Sequence, residues 1–377
     1  MRTTFSRWLA ISRSRGNARS RPRKPPCRLR NLAKVLRIAV VGLGYWGPNL
    51  LRNIVNSRQW HLEAAVDRDP ARVASALRSF PVQRGAFSIE DVIDDVDAVA
   101  IATPSETHAD LVRMALQAGK HVLVEKPLAD DTATAWDLVA EAERRRLVLA
   151  VDHTFLYTGS AEYLHDAIAR GDLGRVYGID SVRVNLGLYQ RFASVYVDLA
   201  SHDISIFNYL LGEAPSHVAA TSLRLLDESF SDVAYITLRY PSGIYGHIHV
   251  SWLSPVKARR MTIAGSQKMA VWDDVEPSEK IRIYDKGADL ARDEEARAAR
   301  LVSYRAGDVF APALDTREAL GKLVDAFAAA IQKGDSLRSS GRDGAGVVGT
   351  LNAIDASVAA GGGFVPVKGP PTLQRTP

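Results

Sequence analysis

Gly42-Leu43-Gly44-Tyr45-Trp46-Gly47 stands directly behind the apolar run Arg37-Ile38-Ala39-Val40-Val41 and opens a helical stretch over residues 45–57. No other feature constrains the chain as tightly. The run reads as a short buried strand. In G-x-G-x-x-G at a strand-to-helix junction, the first glycine permits the tight turn and the second lets backbone approach a pyrophosphate. The third lets helix and strand pack closely. The helix start offers unpaired N–H groups and a positive dipole end to phosphates, and Pro48 suits the first helical turn. Gly clusters also make plain turns, but the flanking strand and helix favour a dinucleotide fingerprint. Gly42, Gly44, Tyr45, Trp46 and Gly47 are then cofactor-binding residues.

A second strand, His61–Val66, ends at Asp67, 25 residues after Gly42 and near the ~20 expected for a ribose-binding acid. A carboxylate there accepts bonds from the ribose hydroxyls and repels a 2′-phosphate, which favours NAD over NADP. Arg68 leaves three readings open: stacking on adenine, pairing with a 2′-phosphate, or a solvated turn residue. Helices near 69–78, 105–118 and 132–146 alternate with strands 98–102, 121–124 and 147–151. That alternation predicts an α/β fold with a doubly wound parallel sheet.

Beyond Thr154 the pattern changes. Runs 176–186, 232–240, 244–252 and 260–264 read as strands in close succession, with Pro241-Ser242-Gly243 as a hairpin turn. They predict a second, α+β domain with a largely antiparallel open sheet. Residues 286–300 read as a surface loop or helix, 316–332 and 343–359 as helices, and the chain from Gly361 as mostly irregular. The expected organisation is a basic disordered tail (1–36), an NAD-binding Rossmann domain (37–154), a substrate and oligomerisation domain (155–366) and a C-terminal tail (367–377). A chain of 377 residues is long enough for two cores.

The formal charge of +5 comes from the first segment. Residues 1–36 hold eleven Lys or Arg and no acid, leaving 37 basic against 43 acidic residues, a net of −6, in the rest. The segment reads as a disordered extension. Its composition is also that of a mitochondrial transit peptide, or of a tail that binds nucleic acid nonspecifically. A start codon assigned too early, with the true start at Val35 or Leu36, gives the same pattern. An acidic body argues against specific nucleic-acid binding, and no apolar run approaches the ~20 residues of a membrane span. One cysteine, Cys27, excludes intramolecular disulfides and thiolate clusters and suits the cytoplasm. His247 and His249 share a strand face without a carboxylate or Cys beside them, so no metal site is expected.

Lys126, in His121-Val122-Leu123-Val124-Glu125-Lys126-Pro127, falls just past the carboxyl end of a parallel strand, where open α/β sheets bind ligands. There it can hydrogen-bond a substrate hydroxyl or carbonyl, though a surface loop lysine would look the same. Asp198 and His202 are four apart at the start of the apolar helix Ile204–Leu211. On one helical face they can meet, the acid fixing the imidazole tautomer for general-base work. Capping residues would give the same spacing. Asn185, Gln190 and Arg191 are polar groups suited to sugar hydroxyls, a carboxylate or a diphosphate.

These motifs, with Ala102-Thr103-Pro104 followed by His108, resemble the Gfo/Idh/MocA oxidoreductases over about residues 37–367. The resemblance implies hydride transfer between a sugar-type substrate and NAD. It also implies a catalytic Lys126 in E-K-P, often with a cis Lys–Pro bond, and D-x-x-x-H as Asp198 and His202. Thr103, Pro104 and His108 would contact the cofactor, and Glu125 would sit near the nicotinamide ribose. Many members carry another Asp three residues after the His. Here that position is Ser205, and the nearest acid is Asp203. His153-Thr154-Phe155-Leu156-Tyr157, Arg183-Val184-Asn185-Leu186-Gly187, Tyr189-Gln190-Arg191 and the strand around His249 resemble the sugar-nucleotide members, of the UDP-N-acetyl-2-amino-2-deoxyglucuronate 3-dehydrogenase type. That places His153, Asn185, Gln190, Arg191 and His202 at the substrate and implies oxidation of a C3 hydroxyl on a nucleotide-linked hexose or hexuronate. A free-sugar or cyclitol dehydrogenase and a non-catalytic NAD(P)-sensing regulator are the alternatives. A homodimer or homotetramer is expected, since family members often cover the open sheet with a partner subunit.

Overall fold

Six parallel strands carry the first half of the chain. The computed structural model describes residues 34–187, 193–226, 228–290 and 302–370. Strands β1 (Leu36–Val41), β2 (Trp60–Val66), β3 (Arg84–Ala86), β4 (Ala98–Ile101), β5 (His121–Glu125) and β6 (Leu149–Asp152) lie in the order β3-β2-β1-β4-β5-β6. Helices α1 (Gly47–Asn56), α2 (Pro70–Ser79), α3 (His108–Gln117) and α4 (Thr132–Arg145) form the crossovers. Ile38 and Val40 of β1 belong to one core cluster, Ala39 and Val41 to another on the opposite face. Burial on both faces is why the strand reads as a continuous apolar run instead of an alternation. Strand order reverses between β1 and β4, so a crevice opens where Gly42 and Thr103 leave those strands.

The second sheet holds β7 (Val176–Val184), β8 (His217–Leu223), β9 (Val233–Arg239), β10 (Tyr245–Ser251), β11 (Ala258–Gly265), β12 (Met269–Asp273), β13 (Ile281–Leu290), β14 (Val302–Phe310) and β15 (Val365–Pro366). Their order is β14-β13-β12-β11-β7-β10-β9-β8-β15. Only β7 and β10 pair in parallel; the other neighbours are antiparallel. The inner face of Ile179, Ile248 and Ile263 is apolar and buried. Helix α5 (Gly159–Ala169) precedes the sheet, and α6 (Ser201–Leu211) packs on it. Phe207 lies so close to β10 that a Cβ on Gly246 would come within 2.7 Å of its ring. Helices α7 (Ala319–Lys333) and α8 (Gly341–Ala359) return to the first sheet. Phe327 of α7 stacks on Trp60 at 5.4 Å, and Asn352 of α8 accepts from the Thr132 backbone N–H at 2.8 Å.

Several sequence expectations are corrected. β1 begins at Leu36, and Lys34 pairs with Asp97 at 3.0 Å, so the stretch assigned to the basic tail reaches too far. The rest of that tail, residues 1–33, lies outside the described residues. β7 stops at Val184, leaving Asn185 beyond its end. Residues 286–290 belong to β13 and pair with β14, whereas a loop or helix was expected; residues 291–300 lie outside the described part. A charged, Ala-rich strand at a sheet end is held by its cross-strand partner, which composition does not announce. Past Gly361 the chain is not wholly irregular: Val365 and Pro366 pair with β8, and the Val367 N–H donates to Ser216 O at 2.9 Å. No described helix is long and apolar enough to cross a membrane.

Candidate active site

The turn between β1 and α1 has the form a dinucleotide requires. Gly42 adopts φ +93°, and a Cβ there would lie 2.7 Å from the Thr103 backbone nitrogen, so the turn presses against the loop after β4. A Cβ on Gly47 would lie 2.2 Å from Gly42 O. At Gly44 the same atom would meet nothing nearer than Arg72 Nη1 at 3.6 Å. The backbone at Gly44 therefore faces open space in front of α1, whose first turn has no side-chain cap. Uncapped N–H groups beside open space fit a pyrophosphate. Tyr45 is 88 % exposed on this loop. Asp67 directly follows β2, and its Oδ2 accepts from the Leu43 N–H at 2.7 Å. Arg72 Nη1 lies 3.6 Å from the same carboxylate. Arg68 is exposed.

Lys126 leaves β5 through a cis Lys126–Pro127 bond. Its Nζ donates to Asp198 Oδ1 at 3.1 Å and to the Asp198 backbone oxygen at 2.9 Å. This corrects the expected Asp198–His202 pair. Tyr196–Ala200 is a turn of π-helix that runs into α6. The wider turn breaks the one-face alignment that four-residue spacing has in an α-helix. Asp198 therefore holds the ammonium, and His202 Nδ1 is buried without a hydrogen-bond partner.

Two neutral imidazoles line the same place. His153, 1 % exposed, has no partner for either ring nitrogen. Burial, then the Lys126 charge, lowers its pKa to about 3. Burial, then Lys126 and Arg183, pulls His202 well below the usual imidazole range. The Phe155 ring meets the His202 ring edge-on at 4.8 Å. Buried polar atoms normally find partners, so these orphaned nitrogens mark a place for a polar ligand. Burial and the neighbouring Asp152 push the Glu125 carboxyl well above the usual range, and its Oε1 is also unpartnered.

Other expected residues fall differently. His108 is buried, not open to a cofactor: its ring nitrogens lie 2.7 Å from Pro127 O and 2.9 Å from Thr103 O, tying the two loops together. Both of its ring nitrogens are thereby taken up by backbone carbonyls. Thr103 Oγ1 accepts from the Thr107 hydroxyl at 2.7 Å, and Pro104 follows in the same crevice loop. Trp46 Nε1 donates to Asp152 Oδ2 at 3.0 Å. Asp152 was missed, although it ends β6 at the same sheet edge that singled out Lys126. The acid beside the histidine, Asp203, is committed to Arg183 at 2.9 Å and faces the second sheet. Asn185 is half-buried, with its N–H on Ser251 O at 3.1 Å. Gln190 and Arg191 lie outside the described residues.

A parallel sheet with an uncapped glycine turn at its switch point, and a lysine and two imidazoles gathered at its edge, define an NAD-binding oxidoreductase. The chain belongs to the Gfo/Idh/MocA family: residues 36–153 match the oxidoreductase family with an NAD-binding Rossmann fold, and residues 161–271 match a Gfo/Idh/MocA C-terminal domain. It is 24% identical over 334 residues to inositol 2-dehydrogenase of Rhizobium meliloti, covering 86% of this chain and 97% of the relative. It is 28% identical over 259 residues to UDP-N-acetylglucosamine 3-dehydrogenase of Acidithiobacillus ferrooxidans, covering 67% and 78%. A solved structure of the latter enzyme superimposes with a TM-score of 0.71 at 26% identity, covering 86% of this chain and 98% of that one.

Proposed function

We propose that this oxidoreductase oxidises a ring hydroxyl of a sugar, the C3 hydroxyl of a nucleotide-linked hexose or hexuronate, taking the hydride from the carbon that bears it. Residues 37–154 hold the cofactor and residues 155–366 supply the substrate side. The single observation that carries this reading is Lys126, held by Asp198, with the buried, unpartnered nitrogens of His153 and His202 close enough to feel its charge. NAD, when bound, supplies the hydride acceptor. His202 is neutral and takes the hydroxyl proton, which becomes strongly acidic as its carbon turns into a carbonyl. Lys126, fixed by Asp198, donates to the same oxygen, and His153 borders the ring. Asn185, Gln190 and Arg191 complete the substrate side in this reading. Thr103, Pro104 and Glu125 lie along the cofactor, with His108 positioning both loops. A sensing role without catalysis would not require Lys126 and His202 to be held together.

The names of the relatives favour two substrate classes, UDP-sugars and cyclitols. A hydride-transfer screen with UDP-N-acetylglucosamine, its glucuronate form, myo-inositol and glucose separates them. Turnover of myo-inositol alone makes the cyclitol reading correct; turnover of none overturns both. The single cysteine fits a cytoplasmic site of action.

Asp67 should set cofactor choice. Its carboxylate, at the end of β2, opposes a 2′-phosphate, so NAD should bind at least about tenfold tighter than NADP, a penalty typical of facing like charges. Equal affinities in a fluorescence titration would make Arg68 or Arg72 a phosphate ligand instead.

The outer face of the second sheet presents Tyr177, Tyr235 and Tyr245, with Tyr235 stacked on His249 at 4.5 Å. An exposed aromatic face of this kind is a liability in a monomer. We read it as a self-association surface of a homodimer or homotetramer. Light scattering at micromolar protein should return a multiple of the 41.1 kDa chain mass. A monomer would remove the assignment.

A further inference from the structure

Arg183 and Arg259 stand directly opposite one another across β7 and β11. Both side chains therefore project from the same face of the sheet. Like charges in that register repel unless each is neutralised. Arg183 is: its Nε and Nη2 donate to Asp203 at 2.9 and 3.1 Å, and both side chains are buried. Its guanidinium also lies over Phe155, 4.7 Å from the ring centre, and Phe155 touches His202.

Arg259 is not neutralised in this way. Among the described residues its nearest carboxylate is Asp274 at 3.9 Å, beyond hydrogen-bond reach, and Asp274 already accepts from Lys280 at 3.0 Å. The Arg259 side chain is 35 % exposed, at a narrow cleft shared with Arg183, Asp203 and Trp272. Burial, then the facing Arg183, lowers its pKa, and the carboxylates of Asp274, Asp203 and Asp198 offset this only in part. Arg259 faces Arg183, Arg183 lies over Phe155 and Phe155 meets the His202 ring, so a chain of neighbours joins the pair to the reacting centre.

We propose that Arg259, backed by Arg183, is a subsite for an anionic group, a carboxylate or a phosphate, on the sugar substrate. The proposal rests on reading the Lys126–His202 site as the place of sugar oxidation. A planar guanidinium grips either anion with two parallel hydrogen bonds. The incoming anion supplies the charge that the Arg183–Arg259 pair lacks. Such a subsite selects acidic or nucleotide-linked sugars over neutral ones.

Binding is measured on the full-length, NAD-loaded protein by calorimetry and thermal shift, with two probes. Glucuronate carries a carboxylate and no phosphate; UDP-N-acetylglucosamine carries phosphates and no carboxylate. At least one should bind to the wild type, and Arg259→Gln should weaken it about 10- to 100-fold, the range of a charge-assisted hydrogen bond. Arg259→Lys should recover part of the loss. Arg170→Gln, at the end of α5 and outside that cleft, should leave binding intact. The probe that responds identifies the anion. Equal binding by wild type and Arg259→Gln, or binding of neither probe, overturns the subsite. Arg259-dependent binding without turnover of any sugar would instead overturn the proposed oxidation and leave the subsite standing.

Discussion

Replacing His202 by alanine should lower kcat on the sugar substrate by about 10²- to 10⁴-fold, the usual contribution of a general base. NAD affinity should barely change, because the proposed cofactor contacts, the glycine turn and Asp67, involve neither the imidazole nor the ammonium. Lys126→Ala should cause a loss of the same order. The double variant should fall short of the product of the singles, since in the proposed reaction both groups act on one oxygen. Asp198→Asn should cost less than either, because the backbone oxygen at 2.9 Å still holds the ammonium. The acid limb of kcat/KM should follow the lowered pKa of His202: an imidazole buried beside Lys126 stays neutral below pH 6.5, where a free one is half protonated. Stability moves the opposite way. His153 and His202 take up protons on unfolding whenever the pH is below their unfolded pKa of about 6.5. Stability therefore declines as pH falls from there towards about 3, the folded value of His153. Near-normal turnover in His202→Ala, with the substrate identified by the screen, would move the base to Lys126.

The largest effect on stability should come from Asp203→Ala. It strands the Arg183 guanidinium, 7% exposed, without its carboxylate. Removing one partner of a buried ion pair typically costs about 3–5 kcal/mol. Chemical denaturation should show a loss of that size, with the slope against denaturant unchanged. Replacing Arg183 and Asp203 together by apolar residues of similar volume should recover most of the stability. It should not recover substrate binding if Arg183 supports Arg259. A loss below about 1 kcal/mol in Asp203→Ala would mean that water reaches the pair and that its burial is only partial.

The first sheet was legible because its information is local. A buried parallel strand writes itself as an apolar run, and the residue after it falls at the ligand-binding edge, which located Gly42, Asp67 and Lys126. The same rule would have found Asp152, had it been applied to the end of β6. What could not be read was spacing that depends on unusual backbone. Asp198 and His202 look like partners in any α-helix, and only the π-turn hands Asp198 to Lys126. Nor could the Arg183–Arg259 pairing be read, since it depends on the order and register of strands far apart in the chain. His108 shows a third limit: a polar residue near a cofactor loop can serve its carbonyls instead of the cofactor.

The π-turn also bears on how such a site is inherited. One of the two bonds that fix Lys126 ends on a peptide oxygen, so no codon specifies it. Substitution at position 198 can erase the carboxylate but not the carbonyl. A residue inserted or deleted between Tyr196 and Ala200 would change the length of the turn and move that second anchor. Substitution of Asp198 therefore leaves half of the lysine's mooring in place, whereas a single in-frame deletion in the turn can remove all of it.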